Sequence, residues 1–401
     1  MILRARWVLP IDSAPIGDGW VEIDPRAHRI TRVGAGTPPS TAQDLGDVAL
    51  LPGLVNAHTH LELSWMAGAI PPAASMDEWI GEVVRLRRAG PPGGDAEIVA
   101  AMARAALAMH AAGTVLVGDI SNTLVSAQVL ADTHLRGVVF HELIGFNPSD
   151  PAQQVRDAWD RIDATERSVM GKDIAFNVVA HAPYSVAPAL FAEILRRPRP
   201  EPLSIHLGES PEEMEFLRTG TGPIQAALVR LGVWPDHWVA PACDPVTYVA
   251  RLGYVRPGTL IVHAVHLSDD ALDRLRSAGA VLVTCPRSNH WVGSGSPRLA
   301  HFYAARLPVA IGTDSLASSP SLSVFDELAE MRRIAPEITA SALLDSATRR
   351  GAQALGFGDR YGTLTAGKRA ALVAVEVPAT ERDVEEYLVS GVAPDAVRRV
   401  A

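Results

Sequence analysis

The sequence predicts an α/β protein, a (β/α)8 barrel of the TIM type with a small β-sandwich formed by its N- and C-terminal segments. Eight apolar runs, each followed by sequence of helical character, predict the barrel, because such runs are typical of parallel strands covered on both faces. Short hairpin-like segments at both ends of the chain predict the sandwich. The expected domains are residues 1–50 and 361–401 for the sandwich and residues 51–360 for the barrel.

The first fifty residues have the lengths and turn residues of β-hairpins. The segments WVLPI, GWVEID and RITRVG are short and apolar, and the Pro/Gly-rich residues 34–40 separate them from a further strand at residues 48–51. After a last helix near residues 338–355, the chain returns to β character in YGTLTAGKRAALVAVEV. We expect the two ends to join in one small β unit.

From residue 51 onward, strands and helices alternate. Capping boxes, in which Ser is followed three residues later by Glu, predict helix starts at Ser75 and at Ser210, the latter with Pro at the first helical position. Residues 232–248 carry Pro, Trp and Cys without a clear period, and we interpret them as an insertion in the fifth βα unit. The first predicted strand ends at residue 56, and the others lie at residues 114–119, 137–145, 174–184, 203–210, 259–268, 280–289 and 307–315.

Charge and composition narrow the class of partner to a small-molecule substrate. The chain has 401 residues, is 48% hydrophobic and carries a net charge of -9, which argues against binding to nucleic acid or to an anionic membrane. No apolar run approaches the roughly 20 residues of a membrane-spanning helix. Cys243 and Cys285 form no CxxC motif, so we expect a reduced, cytoplasmic location. A homodimer is left open as the oligomeric state.

Ionisable and polar residues follow the predicted strands at the edge where the carboxyl ends of barrel strands meet. In barrels of this type the active site is built at that edge. A single His after an apolar strand is more often structural than a ligand, but the joint placement of many such residues predicts an active site. In strand order they are His58 and His60, Glu142, His181, His206 and Glu209, His263 and His266, then Arg287, Ser288 and Asn289, and finally Asp314.

Three of these histidines and one aspartate have the composition of a metal site. His58 and His60 are two residues apart, so in an extended segment their imidazoles point the same way. With His206 and Asp314 they make a donor set that suits Zn²⁺ or a similar first-row ion. We predict one divalent ion at these four residues, Zn²⁺ in the first place and Fe²⁺ as the alternative. Such an ion lowers the pKa of bound water from 15.7 to roughly 7.

The positions of the lysines argue against a second metal ion. A two-metal version of this site needs an anionic bridge, commonly a carboxylated Lys at the end of a middle strand. Lys172 and Lys368 are the only lysines, the first before the fourth strand and the second in the C-terminal β region. His181 stands at the fourth strand end instead, so one metal ion is expected.

Three residues beside the predicted metal site can move protons. Glu209 follows the predicted ligand His206 by three residues and can act as a proton shuttle, while His263 can polarise the attacking water or the leaving group. Asp314 can accept a proton from water as well as bind the metal. Each such group contributes roughly 10²–10⁴-fold in rate. We interpret His266 as an outer-shell or loop residue that forms a hydrogen bond.

Four segments that contain these residues, in this order along the chain, resemble motifs of the amidohydrolase superfamily, in its mononuclear deaminase and chlorohydrolase branch. They are PGLVNAHTHLE, HLGES, LIVHAVHLS and IGTDSLAS, and GTLTAGKRAALVAV is similar to the return of these chains to the terminal sandwich, with Ala371 in place of the usual Asp. The resemblance covers essentially the whole chain. It implies that His206 is a ligand, that Glu209 shuttles a proton and that His263 is catalytic.

Two further segments, HAPYSV and TCPRSN, together with GTDSLAS of the last motif, resemble the aminofutalosine deaminases and their adenosine- and S-adenosylhomocysteine-type relatives. This resemblance implies hydrolytic loss of ammonia from an aminopurine nucleoside. Glu209 would protonate a ring nitrogen, and metal hydroxide would attack the adjacent carbon that carries the amino group. The resemblance also implies that His181 contacts the substrate and that Ser288 and Asn289 border its pocket.

Two further residues each have two interpretations. Arg287 either binds a carboxylate on a tail linked to the ribose or forms a salt bridge at the rim. Glu142 either holds the ribose hydroxyls or has a structural role. Both are counted with the substrate-binding candidates.

Two alternative functions remain open at this point. A chlorohydrolase, or another C–N hydrolase of heteroaromatic rings, would use the same site, and a comparison of ammonia with chloride release separates it from a deaminase. A metal-binding relative without catalysis would lack Glu209 or His263, and both residues are present. We therefore expect an enzyme, a hydrolase that acts on C–N bonds other than peptide bonds.

Overall fold

The computed structural model describes residues 1–38, 41–92, 94–235 and 238–400, and these residues form an α/β structure. The β-strands are β1 (Ile2–Val8), β2 (Ile16–Asp24), β3 (Arg29–Ala35), β4 (Ala42–Asp44), β5 (Val48–Pro52), β6 (Leu54–Thr59), β7 (Thr114–Ser121), β8 (Arg136–Leu143), β9 (Ile174–Ala180), β10 (Ser204–Leu207), β11 (Leu260–His263), β12 (Val281–Thr284), β13 (Val309–Ile311), β14 (Leu372–Glu376) and β15 (Val397–Arg399).

The α-helices are α1 (Met76–Ala89), α2 (Ala96–Ala111), α3 (Ser126–Asp132), α4 (Pro151–Ser168), α5 (Pro188–Leu195), α6 (Pro211–Thr219), α7 (Pro223–Arg230), α8 (Pro245–Arg251), α9 (Asp269–Ser277), α10 (Pro286–Trp291), α11 (Leu299–Ala304), α12 (Val324–Ile334), α13 (Ala340–Asp345), α14 (Gly351–Ala354) and α15 (Val384–Val389). Short 3-10 segments cover Leu61–Met66 and Pro394–Ala396, and a π-helical turn covers Ser346–Arg350.

The eight predicted central strands are β6 to β13, and they form two parallel sheets. One sheet has the order β6-β7-β8-β9 and the other the order β10-β11-β12-β13. Most of these strands are shorter than predicted, because the chain leaves the ladder where the polar residues begin. The candidate site residues therefore stand at the ends of the strands or in the loops that follow.

Side chains of these strands alternate between two apolar clusters, as a period of two requires. One cluster packs against the helices, and the other lies on the opposite face of both sheets. The helix-facing residues include Val117, Val139, Val178, Ile205, Ile261, Leu282 and Val309. The other set includes Val55, Leu116, Val138, Val179, Leu260, Val262, Val283 and Ala310. Residues of both sheets thus contribute to each of the two clusters.

Backbone hydrogen bonds also join the two sheets at both of their neighbouring edges. The N–H groups of Thr313 and Asp314, which follow β13, donate to the carbonyl oxygen of His58 in β6 at 3.0 and 3.1 Å. At the other edge, the N–H of His206 in β10 donates to the carbonyl oxygen of His181, which follows β9, at 2.9 Å. These contacts bring residues from distant parts of the sequence to one end of the strands.

The two ends of the chain pair in one seven-stranded sheet. Its order is β15-β14-β5-β1-β2-β3, with β4 paired to β1, and β14 runs antiparallel to β5. Apolar residues from both ends of the chain share a single cluster in this unit, among them Leu3, Val21, Leu50, Leu372 and Ala374. Of the turn predicted at residues 34–40, Pro39 and Ser40 lie outside the described residues.

The capping box predicted at Ser75 was wrong, and the structure adds detail to two other predicted segments. Helix α1 begins after Ser75 as expected, but the Ser75 side chain makes no capping hydrogen bond, and the Glu78 carboxylate accepts from Ala74 N–H instead. The predicted insertion at residues 232–248 contains the start of helix α8, whose N-cap is Asp244, while Asp236 and His237 lie outside the described residues. Of the C-terminal segment YGTLTAGKRAALVAVEV, only Leu372–Glu376 is a strand.

In the part of the chain that the structure describes, we found no helix with both the length and the apolar character that a membrane crossing requires.

Gly312 lies between β13 and the candidate site, at a place where the backbone of β6 comes close. A Cβ at this position would lie 2.7 Å from the His58 Cβ, 2.8 Å from the Cys285 Sγ and 2.9 Å from the His58 carbonyl oxygen. Because backbone must move to make room, we expect Gly312→Ala to lower the free energy of unfolding by about 1–3 kcal/mol in guanidinium chloride titrations. Gly81→Ala on helix α1 is the control, since a Cβ added there would have no neighbouring atom within 4 Å. Equal unfolding midpoints for Gly312→Ala and the unchanged protein would contradict the tight packing.

Candidate metal centre and active site

Three imidazoles and one carboxylate converge at the ends of β6, β10 and β13. The Nε2 atom of His60 lies 3.2 Å from Nε2 of His58, 3.3 Å from Nε2 of His206 and 3.5 Å from Oδ1 of Asp314. Tetrahedral zinc with bonds of about 2.0–2.1 Å to nitrogen holds neighbouring ligand atoms about 3.3–3.4 Å apart. Three nitrogen atoms at this spacing, joined by a carboxylate oxygen, therefore fit a divalent metal ion.

The histidines of this group are oriented for binding through Nε2. The Nδ1 atom of His206 donates a hydrogen bond to the His181 carbonyl oxygen at 3.0 Å, which fixes the ring and leaves Nε2 facing the other imidazoles. Burial holds the pKa of His58 and of His60 well below the usual value and also lowers the pKa of His206. All three imidazoles are therefore neutral near pH 7, the form that binds a metal ion.

The two carboxylate oxygens of Asp314 have different neighbours. Oδ2 accepts hydrogen bonds from the hydroxyl groups of Ser288 at 2.5 Å and Ser318 at 3.1 Å, whereas Oδ1 faces the histidines. Burial opposes ionisation, but the neighbouring His263 and His58 and the Ser288 hydroxyl bring the pKa of Asp314 below its usual value. Its backbone has φ of 56°, a left-handed conformation that is uncommon outside Gly and aims the side chain into the site.

Glu209 and His263 form a pair beside the histidine cluster. Oε1 of Glu209 lies 3.4 Å from Nε2 of His263, and both side chains are buried. Burial, with the nearby Asp314 and Glu213, raises the pKa of Glu209 well above its usual value, whereas burial lowers the pKa of His263 to about 3. Burial therefore favours a protonated carboxyl next to a neutral imidazole, a pair that suits proton donation to a substrate.

Glu213 positions the loop that carries Glu209, a role that the sequence analysis missed. Its two carboxylate oxygens accept hydrogen bonds from the backbone N–H groups of Gly208 and Glu209, each at 3.0 Å. Ser210 caps helix α6 as predicted by accepting from the Glu213 N–H at 3.3 Å. Burial raises the pKa of Glu213 to about 7. In the sequence the Ser-x-x-Glu pattern predicts a helix cap alone, and nothing in it indicates this second role of Glu213.

Ser288 and Asn289, assigned from the sequence to the border of the substrate pocket, contact the candidate catalytic residues. Ser288 donates to Asp314, as described above, and the Asn289 side-chain amide donates to Nδ1 of His263 at 3.0 Å. Both side chains are buried. These contacts orient Asp314 and His263, and contact with a substrate stays a prediction.

The structure places Arg287 in the salt bridge that was its second interpretation. Its Nη1 atom lies 3.3 Å from Oδ2 of Asp326 and 3.8 Å from Oε1 of the fully buried Glu327, and it also donates to the Ser321 hydroxyl at 3.0 Å. A guanidinium group bound in this way is directed toward helix α12. A substrate contact for Arg287 would require it to leave these partners.

Glu142 and His181 lie next to His206 on the β8 and β9 side of the site. Oε1 of Glu142 is 3.5 Å from Nδ1 of His206, and its Oε2 accepts a hydrogen bond from the Asn122 side chain at 3.3 Å. Nδ1 of His181 is hydrogen-bonded to the Ser185 hydroxyl at 2.6 Å, and its ring centroid lies 4.8 Å from that of His206. Both residues are therefore placed beside the candidate metal centre.

A comparison with models of protein families identifies the family to which these motifs and this geometry point. The model described as "Amidohydrolase family" matches residues 49–396. The chain belongs to the amidohydrolase family. The resemblance found in the sequence is thus confirmed, and with it the expectation of a hydrolase that acts on C–N bonds.

Similar proteins place this amidohydrolase near nucleoside deaminases. Aminodeoxyfutalosine deaminase of Deinococcus radiodurans is 32% identical over 330 residues, which cover 79% of this chain and 76% of that protein. The structure of Helicobacter pylori aminofutalosine deaminase in complex with methylthio-coformycin is 26% identical, covers 99% of this chain and 97% of its own, and has a TM-score of 0.83. A Xanthomonas campestris adenosine deaminase with bound zinc is 25% identical, with coverage of 99% and 90% and a TM-score of 0.81.

Two residues of the first-strand motif of this amidohydrolase had no assigned role in the sequence analysis. Asn56 donates to the Thr313 hydroxyl at 2.7 Å and accepts from the Thr313 N–H at 3.1 Å, so it ties β6 to the end of β13. Glu62 accepts from the N–H groups of Asn122 at 3.1 Å and Thr123 at 3.0 Å. Both side chains are buried polar groups that bind loops of other strands, which sequence spacing does not show.

His266 makes the loop contact expected for it, because its Nε2 atom donates to the Ser294 carbonyl oxygen at 2.8 Å.

The proposed ligand set can be tested through the metal content of variants. Because His206 supplies one of the three converging nitrogen atoms, we expect His206→Ala, loaded with Zn²⁺ and then desalted, to retain much less than one equivalent by mass spectrometry. His301→Ala is the matched control, since His301 pairs with Asp269 on the surface. Full zinc occupancy in His206→Ala would remove this residue from the ligand set.

Proposed function

We propose that this amidohydrolase is a metal-dependent hydrolytic deaminase that releases ammonia from an aminopurine nucleoside. The observation that carries the proposal is a buried carboxyl with a raised pKa, Glu209, next to His263 and to the cluster of His58, His60, His206 and Asp314. A proton donor beside a candidate metal centre is what hydrolysis of an amino-substituted ring requires. The deaminase names of the similar proteins support the same reaction.

The four converging side chains would hold one divalent ion. Zn²⁺ is proposed because three imidazoles and a carboxylate suit it and because a similar deaminase structure contains bound zinc. Fe²⁺ is the alternative, since imidazole and carboxylate also suit iron. When bound, such an ion supplies the Lewis acidity that brings the pKa of water down to about 7.

The protein groups of the site account for every proton in the reaction. Protonated Glu209 donates its proton to the ring nitrogen next to the amino-bearing carbon, while ionised Asp314 takes one proton from the attacking water. Asp314 then passes that proton to the amino group, the C–N bond breaks and ammonia leaves. The remaining water proton is released as the C=O bond forms and restores Glu209. His263 is hydrogen-bonded to Asn289 and orients the water and the departing amine.

The substrate would occupy the space beside Glu142 and His181. Both are buried or nearly so and adjoin His206, so a nucleoside with its base at the metal centre would have its ribose near them. Glu142 would accept hydrogen bonds from ribose hydroxyls, and His181 would contact the base. Ser288 and Asn289 would act through Asp314 and His263.

We also infer that β6 to β13 close into a single (β/α)8 barrel, which corresponds to the predicted domain of residues 51–360. The hydrogen bonds of His58 to Thr313 and Asp314, those of His206 to His181, and the shared interior cluster support this closure. Residues 1–50 and 361–401 would form the small sandwich. The branching of the terminal sheet at β1, which pairs with β4 along its first half and with β5 along its second, supports that arrangement.

The reaction itself is tested by ammonia release from the zinc-loaded protein. The panel contains adenosine, S-adenosylhomocysteine, aminodeoxyfutalosine, guanine, cytosine and a chloro-triazine. We expect ammonia from an adenine nucleoside, with a shift of the adenine absorption band toward that of hypoxanthine. Chloride release from the triazine, with no ammonia from any amine, would favour the alternative of a chlorohydrolase and contradict the deaminase proposal.

A substitution of Glu209 tests the proton path. Because Gln cannot donate the carboxyl proton, we expect Glu209→Gln to keep the metal and to lose roughly 10²–10⁴-fold in kcat. Glu193→Gln is the control, since Glu193 lies on helix α5 and pairs with Arg196. If Glu209→Gln turns over at the rate of the unchanged protein, Glu209 is not the proton donor.

A further inference from the structure

Helix α1 lies across the strand ends that carry the candidate site. Met76 and Ile80, in its first half, pack in one apolar cluster with Phe146 and Tyr184, which follow β8 and β9. Later in the helix, Val83 and Leu86 pack with Leu63 and Met66 of the segment that follows His60. The helix therefore spans from the loops beside Glu142 and His181 to the loop beside the candidate metal ligands.

Arg87 lies on the inner face of this helix. At about 100° per residue, Arg87 falls in line with Met76, Ile80 and Val83, which contact the body of the protein. Arg85 and Arg88 point away from that line, and Arg85 pairs with Glu82 at 2.7 Å. The position of Arg87 on the helix thus directs a cation toward the mouth of the site.

A series of hydrogen bonds links Arg87 to the site. Its Nη2 atom donates to the side-chain oxygen of Asn122 at 3.3 Å, and the Asn122 amide donates to Oε2 of Glu142 at 3.3 Å. Glu142 in turn adjoins His206 at 3.5 Å.

Arg87 has no ion pair among the described residues. No carboxylate oxygen of the described chain lies within 4.0 Å of it, and its side chain is exposed. This differs from Arg287, which is bound to Asp326 and Glu327. A guanidinium group that no carboxylate of the described residues neutralises, and that donates only to the Asn122 amide oxygen in this part of the chain, can bind an incoming anion through two parallel N–H groups.

We propose that Arg87 binds an anionic group carried at the 5′ end of the nucleoside and thereby selects substrates with a charged tail. The inference rests on the proposed deaminase function for the position of the substrate. With the base at the metal centre and the ribose at Glu142, the 5′ tail extends along the series from Glu142 through Asn122 toward Arg87. A carboxylate and a phosphate share the chemistry that a guanidinium group recognises, so the test includes both.

The test measures binding in a protein that does not turn over. In a Glu209→Gln background, titration calorimetry gives Kd for two uncharged nucleosides, adenosine and methylthioadenosine, and for two charged ones, S-adenosylhomocysteine with a carboxylate and AMP with a phosphate. We expect Arg87→Ala to weaken binding of at least one charged nucleoside about 10- to 100-fold relative to the uncharged ones, as for the loss of a charge-assisted hydrogen bond. Arg87→Lys keeps the charge but loses the planar fork, and we expect an intermediate loss.

Arg88→Ala is the matched control, because it removes the same charge from the next residue of the same helix. We expect it to leave the ratio of charged to uncharged affinities unchanged. An unchanged ratio in Arg87→Ala, an equal change in Arg88→Ala, or no binding of either charged nucleoside would overturn the assignment of Arg87. The ammonia assay is read separately: failure to release ammonia from any nucleoside overturns the deaminase proposal, while the affinity ratio still decides the role of Arg87.

Discussion

The candidate site depends on the hydrogen bonds that the His58 carbonyl oxygen accepts from the N–H groups of Thr313 and Asp314. They join strand β6 to the end of β13, more than 250 residues later in the chain. Asn56 strengthens the same junction through Thr313, and Gly312 allows the backbones to come close. Because His58 and Asp314 are themselves candidate ligands, the contact that joins the two sheets also brings the candidate metal centre together.

Burial then determines the chemistry of the side chains that this junction brings together. It holds the histidines neutral, so that their nitrogen lone pairs face one another instead of carrying like charges. It also raises the pKa of Glu209 and so favours its protonated form, whereas the pKa of Asp314, which accepts a hydrogen bond from the Ser288 hydroxyl, lies below its usual value. In the proposed reaction the two carboxyl groups therefore serve opposite purposes, one as a proton donor and one as an acceptor. Buried groups of this kind cost folding free energy unless they are paired, and a bound cation would offset that cost.

The sequence predicted most of the residues that the structure brings together in the candidate site, because these residues lie at strand ends. A polar residue that directly follows an apolar strand must leave the sheet at that edge, so His58, His206 and Asp314 were found from their positions alone. Residues that act through a hydrogen bond to another side chain were found less well. The sequence placed Ser288 and Asn289 near the site, but their partners became clear only from the folded chain. Glu213 and Arg87 were missed because a helix cap and a surface Arg have many ordinary explanations.

The sequence alone determined the alternation of strands and helices, the set of candidate ligands and the membership in the amidohydrolase family. These properties follow from local periodicity and from short motifs, and neither depends on which distant segments meet. The tertiary structure decided the distances between the ligands, the direction of the Arg287 and Arg87 side chains and the pKa values that burial imposes. These properties arise when segments far apart in the chain exclude water from one another, and no stretch of sequence contains that information by itself.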